Sequence, residues 1–183
     1  PPLFESGKGW HYTDTGYILL GLVIEKATGN SYYNEVDRRF LKPLNLYQTV
    51  PSDQRELPFL VAGYTTENNL FHLPRKTVDN EGIMVWNPAI EWTGGGFLMS
   101  SSDLARWAKL LYEGKAMSFD YLDDLFSSVS THNEKTKISY GLGVAIEERE
   151  PLGIRYGHGG VIPGYTSSMR YYPKHGVAIA FQI

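Results

Sequence analysis

The chain has 183 residues, of which 42% are hydrophobic and 20% charged, and its formal net charge is −3. This size suits one domain with a sizeable core, and the slight negative charge argues against a nucleic-acid-binding protein, which would carry a basic face. Because the chain contains no cysteine, a disulfide scaffold, a thiolate metal site and a cysteine nucleophile are excluded. The longest apolar run, residues 17–24, is far shorter than the roughly 20 residues of a transmembrane segment.

Two helices are predicted in residues 1–44. Apolar residues recur at helical spacing over residues 15–28, and Gly29 can supply a left-handed cap after them. Ser31 can cap a second helix over roughly residues 32–41. We therefore expect this part of the chain to be mainly helical.

The middle of the chain is predicted to change from irregular to helical. Residues 45–92 contain several prolines and little periodicity, which indicates a long irregular connection. Ser100 begins a Ser-x-x-Asp signature that is typical of a helix N-terminus. Residues 93–130 are therefore predicted to be helical, with helices at about residues 104–112 and 118–128.

The last part of the chain, residues 138–183, is predicted to form antiparallel strands. Short runs rich in β-forming residues are separated by proline- and glycine-rich breaks, one of them at residues 157–164. We expect three or four strands in a meander. Helices followed by consecutive strands give an α+β architecture.

Both ends of the chain are expected to be cuts within a longer protein. The first residues, Pro1 and Pro2, include no Met and begin no signal region. The last residue, Ile183, lies within an apolar run that is typical of a core strand. We therefore expect a fold that is incomplete at both ends, and the compartment stays unknown.

The five histidines do not form a metal-binding pattern. No pair has the spacing of a helical metal site and no His-Glu-x-x-His is present, so we expect neither a metal nor a cofactor. His72, His132 and His175 are interpreted as solvated loop side chains. A dinucleotide-binding pattern and the nucleophile elbow Gly-x-Ser-x-Gly are also absent.

Two segments carry residues that could act together. Tyr12 and Asp14 stand directly before the strongest predicted helix, where Asp14 or Thr13 could also be an ordinary helix cap. His158 stands in a glycine-rich run at residues 156–165, which could equally be a plain hairpin with an exposed histidine.

Taken in order, these segments resemble the serine β-lactamase and penicillin-binding-protein-like family, in its class C, D-alanyl-D-alanine carboxypeptidase and esterase branch. Tyr12-x-Asp14 and the helix after it are similar to the family's second motif, and residues 157–165 to its third-motif region. Three further segments are similar to the parts between them, namely residues 40–46, 93–107 and 140–144. The resemblance covers nearly the whole chain and implies a β-lactamase/transpeptidase-like fold, an antiparallel sheet with helices packed on it.

The resemblance implies acyl transfer through a covalent acyl-serine, on a small-molecule or peptide substrate. Tyr12 would be the phenolic partner of the nucleophile, and a nearby cation would have to lower its pKa before it could act as a base. Asp14 stands where the family commonly has Asn, and a carboxylate cannot donate a hydrogen bond as an amide can. The resemblance also implies that the second-motif and third-motif regions meet in the fold. We therefore expect Tyr12 and His158 to lie close together across one shallow groove.

The third-motif region departs from the family in one residue. His158 stands where β-lactamases usually carry Lys, and a largely neutral histidine attracts a substrate carboxylate less strongly. This departure favours the esterase or peptidase branch over a dedicated β-lactamase. Gly159 and Gly160 would let the strand approach the substrate closely, and the backbone N–H near Val161 could serve in an oxyanion hole.

The family's nucleophile motif is absent from this sequence, since no serine has a lysine three residues later. We expect the C-terminal part of a serine hydrolase, inactive alone, which associates with itself or with the missing N-terminal part. One alternative is a catalytically silent relative that binds a peptide or a glycan, and another is an unrelated α+β interaction domain. The family usually works outside the cytoplasm, which by resemblance alone favours an extracytoplasmic or periplasmic location.

Overall fold

The computed structural model describes residues 1–131 and 138–183, and most of its helices precede most of its strands. The helical elements are α1 (Thr15–Thr28), α2 (Tyr32–Val36), a π-helical turn (Asp37–Leu41), a 3-10 turn (Pro88–Ile90), α3 (Trp92–Gly95), α4 (Ser101–Tyr112), a 3-10 turn (Phe119–Tyr121) and α5 (Leu122–Phe126). The strands are β1 (Thr49–Pro51), β2 (Phe97–Met99), β3 (Val129–Ser130), β4 (Ile138–Tyr140), β5 (Ala145–Arg149), β6 (Gly153–Ile162), β7 (Tyr165–Tyr172) and β8 (Val177–Gln182). The predicted α+β architecture is confirmed.

The larger sheet is an antiparallel meander of six strands, in the order β3-β4-β5-β6-β7-β8. The prediction of three or four strands was too low because β3 and β4 have only two and three residues, too few to give a periodic signal. The break predicted at residues 157–164 was also wrong. These glycines continue β6 as far as Ile162, and the turn to β7 follows at Pro163 and Gly164.

Helix α4 packs on one face of the sheet and forms the main core with it. Its buried residues Ala108, Leu111 and Tyr112 belong to one apolar cluster with Val144 and Tyr171 from the sheet region. The predicted helix started three residues late, at 104. It begins at Ser101 because Ser100 is the N-cap, whose hydroxyl accepts a hydrogen bond from the N–H of Asp103 at 3.1 Å.

Helix α1 has the predicted bounds, and Gly29 ends it in the left-handed conformation, donating its N–H to the carbonyl of Glu25 at 2.9 Å. The second predicted helix is found as α2 followed directly by the π-helical turn. Ser31 caps it by accepting from the N–H of Asn34 at 3.3 Å. No helix in the described ranges has the length and apolar character that crossing a membrane requires.

The long connection predicted as irregular contains one strand. Within residues 45–92, β1 pairs with β2 in a second, two-stranded antiparallel sheet. The Asp103 carboxylate holds this sheet against α4 by accepting from the N–H of Gln48 at 2.8 Å and the hydroxyl of Thr49 at 2.9 Å. A small core of Leu57, Val78 and Met84 lies beneath the rest of the connection.

Candidate active site

The segment before α1 and the strand β6 meet in a cluster of aromatic rings. The ring centroids of Tyr12 and His158 are 6.0 Å apart, so the predicted proximity of these two residues is confirmed. Tyr140, on β4, lies beside both rings, with its centroid 5.9 Å from that of Tyr12 and 5.9 Å from that of His158. Trp10 adds a fourth ring 5.5 Å from Tyr140.

Sequence reasoning missed Tyr140 as a site residue. Its hydroxyl lies 2.7 Å from Nε2 of His158, and it also forms a hydrogen bond with Tyr17 on α1. The only signal in the sequence was its place in the Tyr-Gly-Leu-Gly segment. No spacing rule links a residue on β4 to a ring on β6, because the contact depends on how the sheet is assembled.

The two nitrogen atoms of His158 have different partners. Nδ1 lies 2.6 Å from the carbonyl oxygen of Gly159, and a carbonyl can only accept a hydrogen bond. In the neutral ring the proton is therefore assigned to Nδ1. Nε2 is left as an acceptor for the hydroxyl of Tyr140, so the ring is held from both sides.

His158 favours its neutral form. Burial lowers the pKa of His158, the bond to the Gly159 carbonyl opposes this, Arg170 lowers the pKa further, and Asp14 raises it. The net direction is downward, so the raising effect of Asp14 that the sequence suggested is outweighed. The ring therefore carries little positive charge near neutral pH.

The surroundings of Tyr12 favour its protonated form, whereas a general base must be deprotonated before it can accept a proton. Burial raises the pKa of Tyr12 above its ordinary value, and the charges of Asp14, Tyr17 and Glu91 raise it too, while a hydrogen bond with Tyr140 lowers it. The phenol is therefore protonated near neutral pH in this chain.

Asp14 is the N-cap residue of α1, but its side chain makes no capping hydrogen bond. The hydroxyl of Thr13 instead accepts from the N–H of Thr15 at 3.2 Å. The Asp14 carboxylate faces Gly94, where an added Cβ would lie 3.6 Å from its Cγ. The cap interpretation therefore applies to Thr13, and the charge of the Asp14 carboxylate acts on Tyr12 and His158.

Strand β6 presents one uncovered edge beside these residues. The last residue pair between β5 and β6 is Ala145 with Gly157, whereas β7 pairs with β6 as far as Ile162. Residues 158–162 therefore have a strand partner on one side only, among the parts of the chain that the structure describes. We call their other side the free edge of β6. Backbone groups on such an edge can bind an extended backbone.

The three residues predicted to bind the substrate all lie on this stretch. An added Cβ at Gly159 would be 3.6 Å from the carbonyl oxygen of Ser167, and one at Gly160 would be 2.6 Å from its hydroxyl. Val161 exposes 81% of its surface. The structure thus brings Gly159, Gly160 and Val161 into line after His158, at the end of β6 that meets the aromatic cluster.

Three other histidines were interpreted from the sequence as solvated loop side chains. His72 and His175 are exposed, as the sequence predicted, and Nε2 of His175 lies 3.2 Å from the carbonyl of Leu152. His132 lies outside the described residues. Over residues 1–131 and 138–183, no three His, Asp or Glu side chains are grouped so that they could hold a metal ion.

Comparison with known proteins gives consistent matches along the chain. A family model described as Beta-lactamase matches residues 1–182. Penicillin-binding protein 4* of Bacillus subtilis is 30% identical over an alignment of 179 positions, and the match covers 94% of this chain and 39% of that protein. Penicillin-binding protein 4 of Amycolatopsis lactamdurans is 27% identical over an alignment of 181 positions, and the match covers 92% of this chain and 45% of that protein.

A solved structure agrees with the sequence matches. The D-stereospecific amidohydrolase from Streptomyces sp. superimposes with a TM-score of 0.84 at 29% identity, covering 100% of this chain and 52% of that one. The 183 residues thus span about half, or less, of the length of each of these proteins.

Proposed function

This chain belongs to the beta-lactamase family, and we propose that it supplies one side of the active site of a serine hydrolase that works by acyl transfer. The observation that carries the proposal is the proximity of Tyr12 and His158 beside the free edge of β6, with the charge of Asp14 acting on both. The substrate class we propose is an amide or ester of a small molecule or peptide. The amidohydrolase name of a structural relative supports the amide part of this assignment.

In the proposed mechanism the nucleophilic serine and its lysine come from a segment outside these 183 residues. That lysine would lower the pKa of Tyr12, so that the phenolate could take the proton of the serine hydroxyl. Backbone N–H groups near Val161 on the free edge of β6 would stabilise the negative charge that develops on the substrate oxygen.

The state of His158 supports esters and simple amides over β-lactams. A substrate carboxylate is attracted by a fixed positive charge, which a lysine provides and a neutral imidazole does not. With Nδ1 bonded to Gly159 and Nε2 to Tyr140, the ring contributes shape and hydrogen bonding. We therefore propose that recognition depends on an extended substrate backbone along the free edge.

The first prediction is that the 183 residues alone do not turn over substrate. Without a Ser-x-x-Lys motif, they have no group that could form the acyl-serine. Purified chain is assayed with a chromogenic ester and a chromogenic cephalosporin, against buffer and against the heat-unfolded chain. Turnover above both blanks would contradict the assigned roles.

The complete reading frame then tests the function itself. We expect it to form a covalent acyl-enzyme with the ester, detected as a mass increase, and Tyr12→Phe to reduce the rate by about 100-fold or more. His158→Lys should improve turnover of the cephalosporin relative to the ester, while the exposed control His175→Lys should leave the ratio unchanged. Binding of a peptide or glycan without acylation would favour the catalytically silent alternative.

A further inference from the structure

Arg170 connects the site strand to the buried charge of the sheet. It lies on β7 directly opposite Gly157 on β6, and its Nη1 donates to the carbonyl oxygen of His158 at 2.7 Å and to that of Met169 at 2.7 Å. Its Nε lies 3.8 Å from a carboxylate oxygen of Glu147 on β5. One side chain thus joins three neighbouring strands at the residue that begins the free edge of β6.

The absence of a side chain at Gly157 leaves room for this connection. An added Cβ at that position would overlap the carbonyl oxygen of Met169 and lie 2.9 Å from Cδ of Arg170. Any larger residue would therefore push the arginine away from β6 or separate β6 from β7. Gly157 is needed here for close packing inside a strand.

Glu147 holds the far end of the connection. Its side chain is 5% exposed and also forms ion pairs with Arg149 at 2.6 Å and Arg155 at 2.8 Å. With two short ion pairs besides the one to Arg170, the buried Glu147 carboxylate stays paired when one partner is removed. Arg170 is fixed at one end by Glu147 and at the other by the His158 backbone.

We propose that Arg170 is a positioning residue of the candidate active site, which holds the backbone of His158 so that its ring meets Tyr140 and Tyr12. The relevance of this positioning to catalysis rests on the proposed function, but the positioning itself can be measured without turnover. Arg170 touches no reacting atom and acts only through His158.

Charged or titratable groups face His158 from three parts of the chain. Tyr12 and Asp14 face it from the segment before α1, Tyr140 from β4, and Arg170 from β7. Asp14 and Arg170 carry opposite charges there. A change at Arg170 can therefore be separated from a change at Asp14 by its sign.

The experiment compares three variants of this chain by NMR with labelled histidine. Arg170→Met removes both the charge and the donors, Arg170→Lys keeps the charge but loses the planar fork, and Arg155→Met is the control. Arg155 also pairs with Glu147, but it has no contact with His158 among the described residues. The readouts are the carbonyl carbon shift of His158 and the midpoint of its ring titration.

We expect Arg170→Met to change the carbonyl shift and to raise the titration midpoint by about 0.5 pH unit, since a nearby positive charge is removed. Arg170→Lys should keep the midpoint close to that of the unmodified chain but still change the carbonyl shift. Arg155→Met should alter neither.

Several results would overturn the proposal. An unchanged carbonyl shift in Arg170→Met would overturn it, and so would an equal change in Arg155→Met. Unfolding of both Arg170 variants beside a folded Arg155→Met would also overturn it, since Arg170 would then be needed for the fold as a whole. Because no arm uses turnover, a failure of the proposed hydrolase function leaves these outcomes readable.

Discussion

Asp14 raises the pKa of two neighbouring side chains, Tyr12 and His158. Burial raises the first of these pKa values and lowers the second. After burial, Asp14 is the strongest influence that raises the pKa of Tyr12. It also raises the pKa of His158, where burial prevails and the net direction is downward. A carboxylate at this position thus adds to the preference of Tyr12 for its protonated form and partly offsets the cost of charging the ring of His158. An asparagine, which carries no charge, would have neither effect.

The prediction at this scale is that Asp14→Asn lowers the pKa of both Tyr12 and His158. Removing a negative charge makes the phenolate easier to form and the imidazolium harder to form. Histidine and tyrosine ring resonances, followed by NMR as a function of pH, measure both. Glu91→Gln is the matched control, because Glu91 raises the pKa of Tyr12, and only that titration should move. A rise in either pKa in Asp14→Asn would contradict the electrostatic account.

Helix α1 is placed beside the site by close contact with α3. Gly21 is its one buried residue, and an added Cβ there would overlap Cγ2 of Thr93 and lie 2.9 Å from Cη2 of Trp92. The hydroxyl of Thr93 donates to the carbonyl of Tyr17 at 2.8 Å. A glycine inside a helix usually costs stability, and here it allows the approach that orients the N-terminus of α1 toward β6.

Two glycine substitutions in α1 should therefore have opposite effects. Gly21→Ala is expected to lower the free energy of unfolding by about 1–3 kcal/mol through overpacking. Gly16→Ala, where nothing lies within 4 Å of an added Cβ, is expected to raise it by up to about 1 kcal/mol through helix propensity. Urea unfolding of the two variants measures both values. An equal loss of unfolding free energy in both variants would show that the contact with Thr93 and Trp92 does not explain the effect of Gly21→Ala.

The sequence predicted well those elements that are specified by residues within or next to the element itself. Periodic apolar residues and a left-handed Gly29 define α1 to the residue, and the Ser100 cap identifies α4. The three-residue strands β1 and β2 carry no such signal, and their pairing joins residues far apart in the chain. Buried Glu35 was also missed, because its burial depends on hydrogen bonds from Arg38 and Arg39.

The residues of the candidate site also divide into those that the sequence predicted and those that it could not predict. Tyr12 and His158 were predicted to meet because the order of their motifs resembles a known family, and they do meet. Tyr140 and Arg170 contact His158 from other strands, and only the register of the sheet brings them there. Residue type alone gave no reason to choose these two among the other tyrosines and arginines.

At the scale of the whole molecule, α1 and β8 each expose an apolar surface. On α1, Leu19, Leu22 and Val23 expose 58%, 53% and 61% of their surface. On β8, which is an edge strand, every second residue is an exposed apolar one, namely Val177, Ile179 and Phe181. Covering one such side chain is worth about 1.5–3 kcal/mol, and uncovered sheet edges favour pairing with another chain.

We therefore predict that the 183-residue chain associates with itself in solution. Sedimentation over a hundredfold range of concentration should give a mass that rises with concentration. Leu19→Lys combined with Val23→Lys should weaken the association, while Leu70→Lys, at an exposed apolar residue in a loop, should not. A monomer mass at every concentration would show that neither surface drives association.

Two glutamates contribute to the acid sensitivity of the fold. Hydrogen bonds from Arg38 and Arg39 lower the pKa of Glu35 to about 2. Those from Lys109 and Lys115 lower the pKa of Glu113 to about 2, and Glu113 also accepts from the hydroxyl of Tyr171 at 3.0 Å, which ties α4 to β7. In an unfolded chain the pKa of a glutamate is about 4.3. Between these values the unfolded chain binds more protons than the folded one.

The stabilisation by these carboxylates is therefore complete above about pH 4.3 and is lost as the pH falls toward about 2. We predict that the unfolding temperature drops steadily between about pH 5 and pH 2.5. Glu113→Gln, which cannot ionise, should be less stable than the unmodified chain at pH 7, and this difference should shrink toward pH 2. The exposed control Glu56→Gln should follow the unmodified chain throughout. If the Glu113→Gln difference were the same at pH 7 and pH 2.5, its effect would come from lost packing, and the ion pairs with Lys109 and Lys115 would not govern acid unfolding.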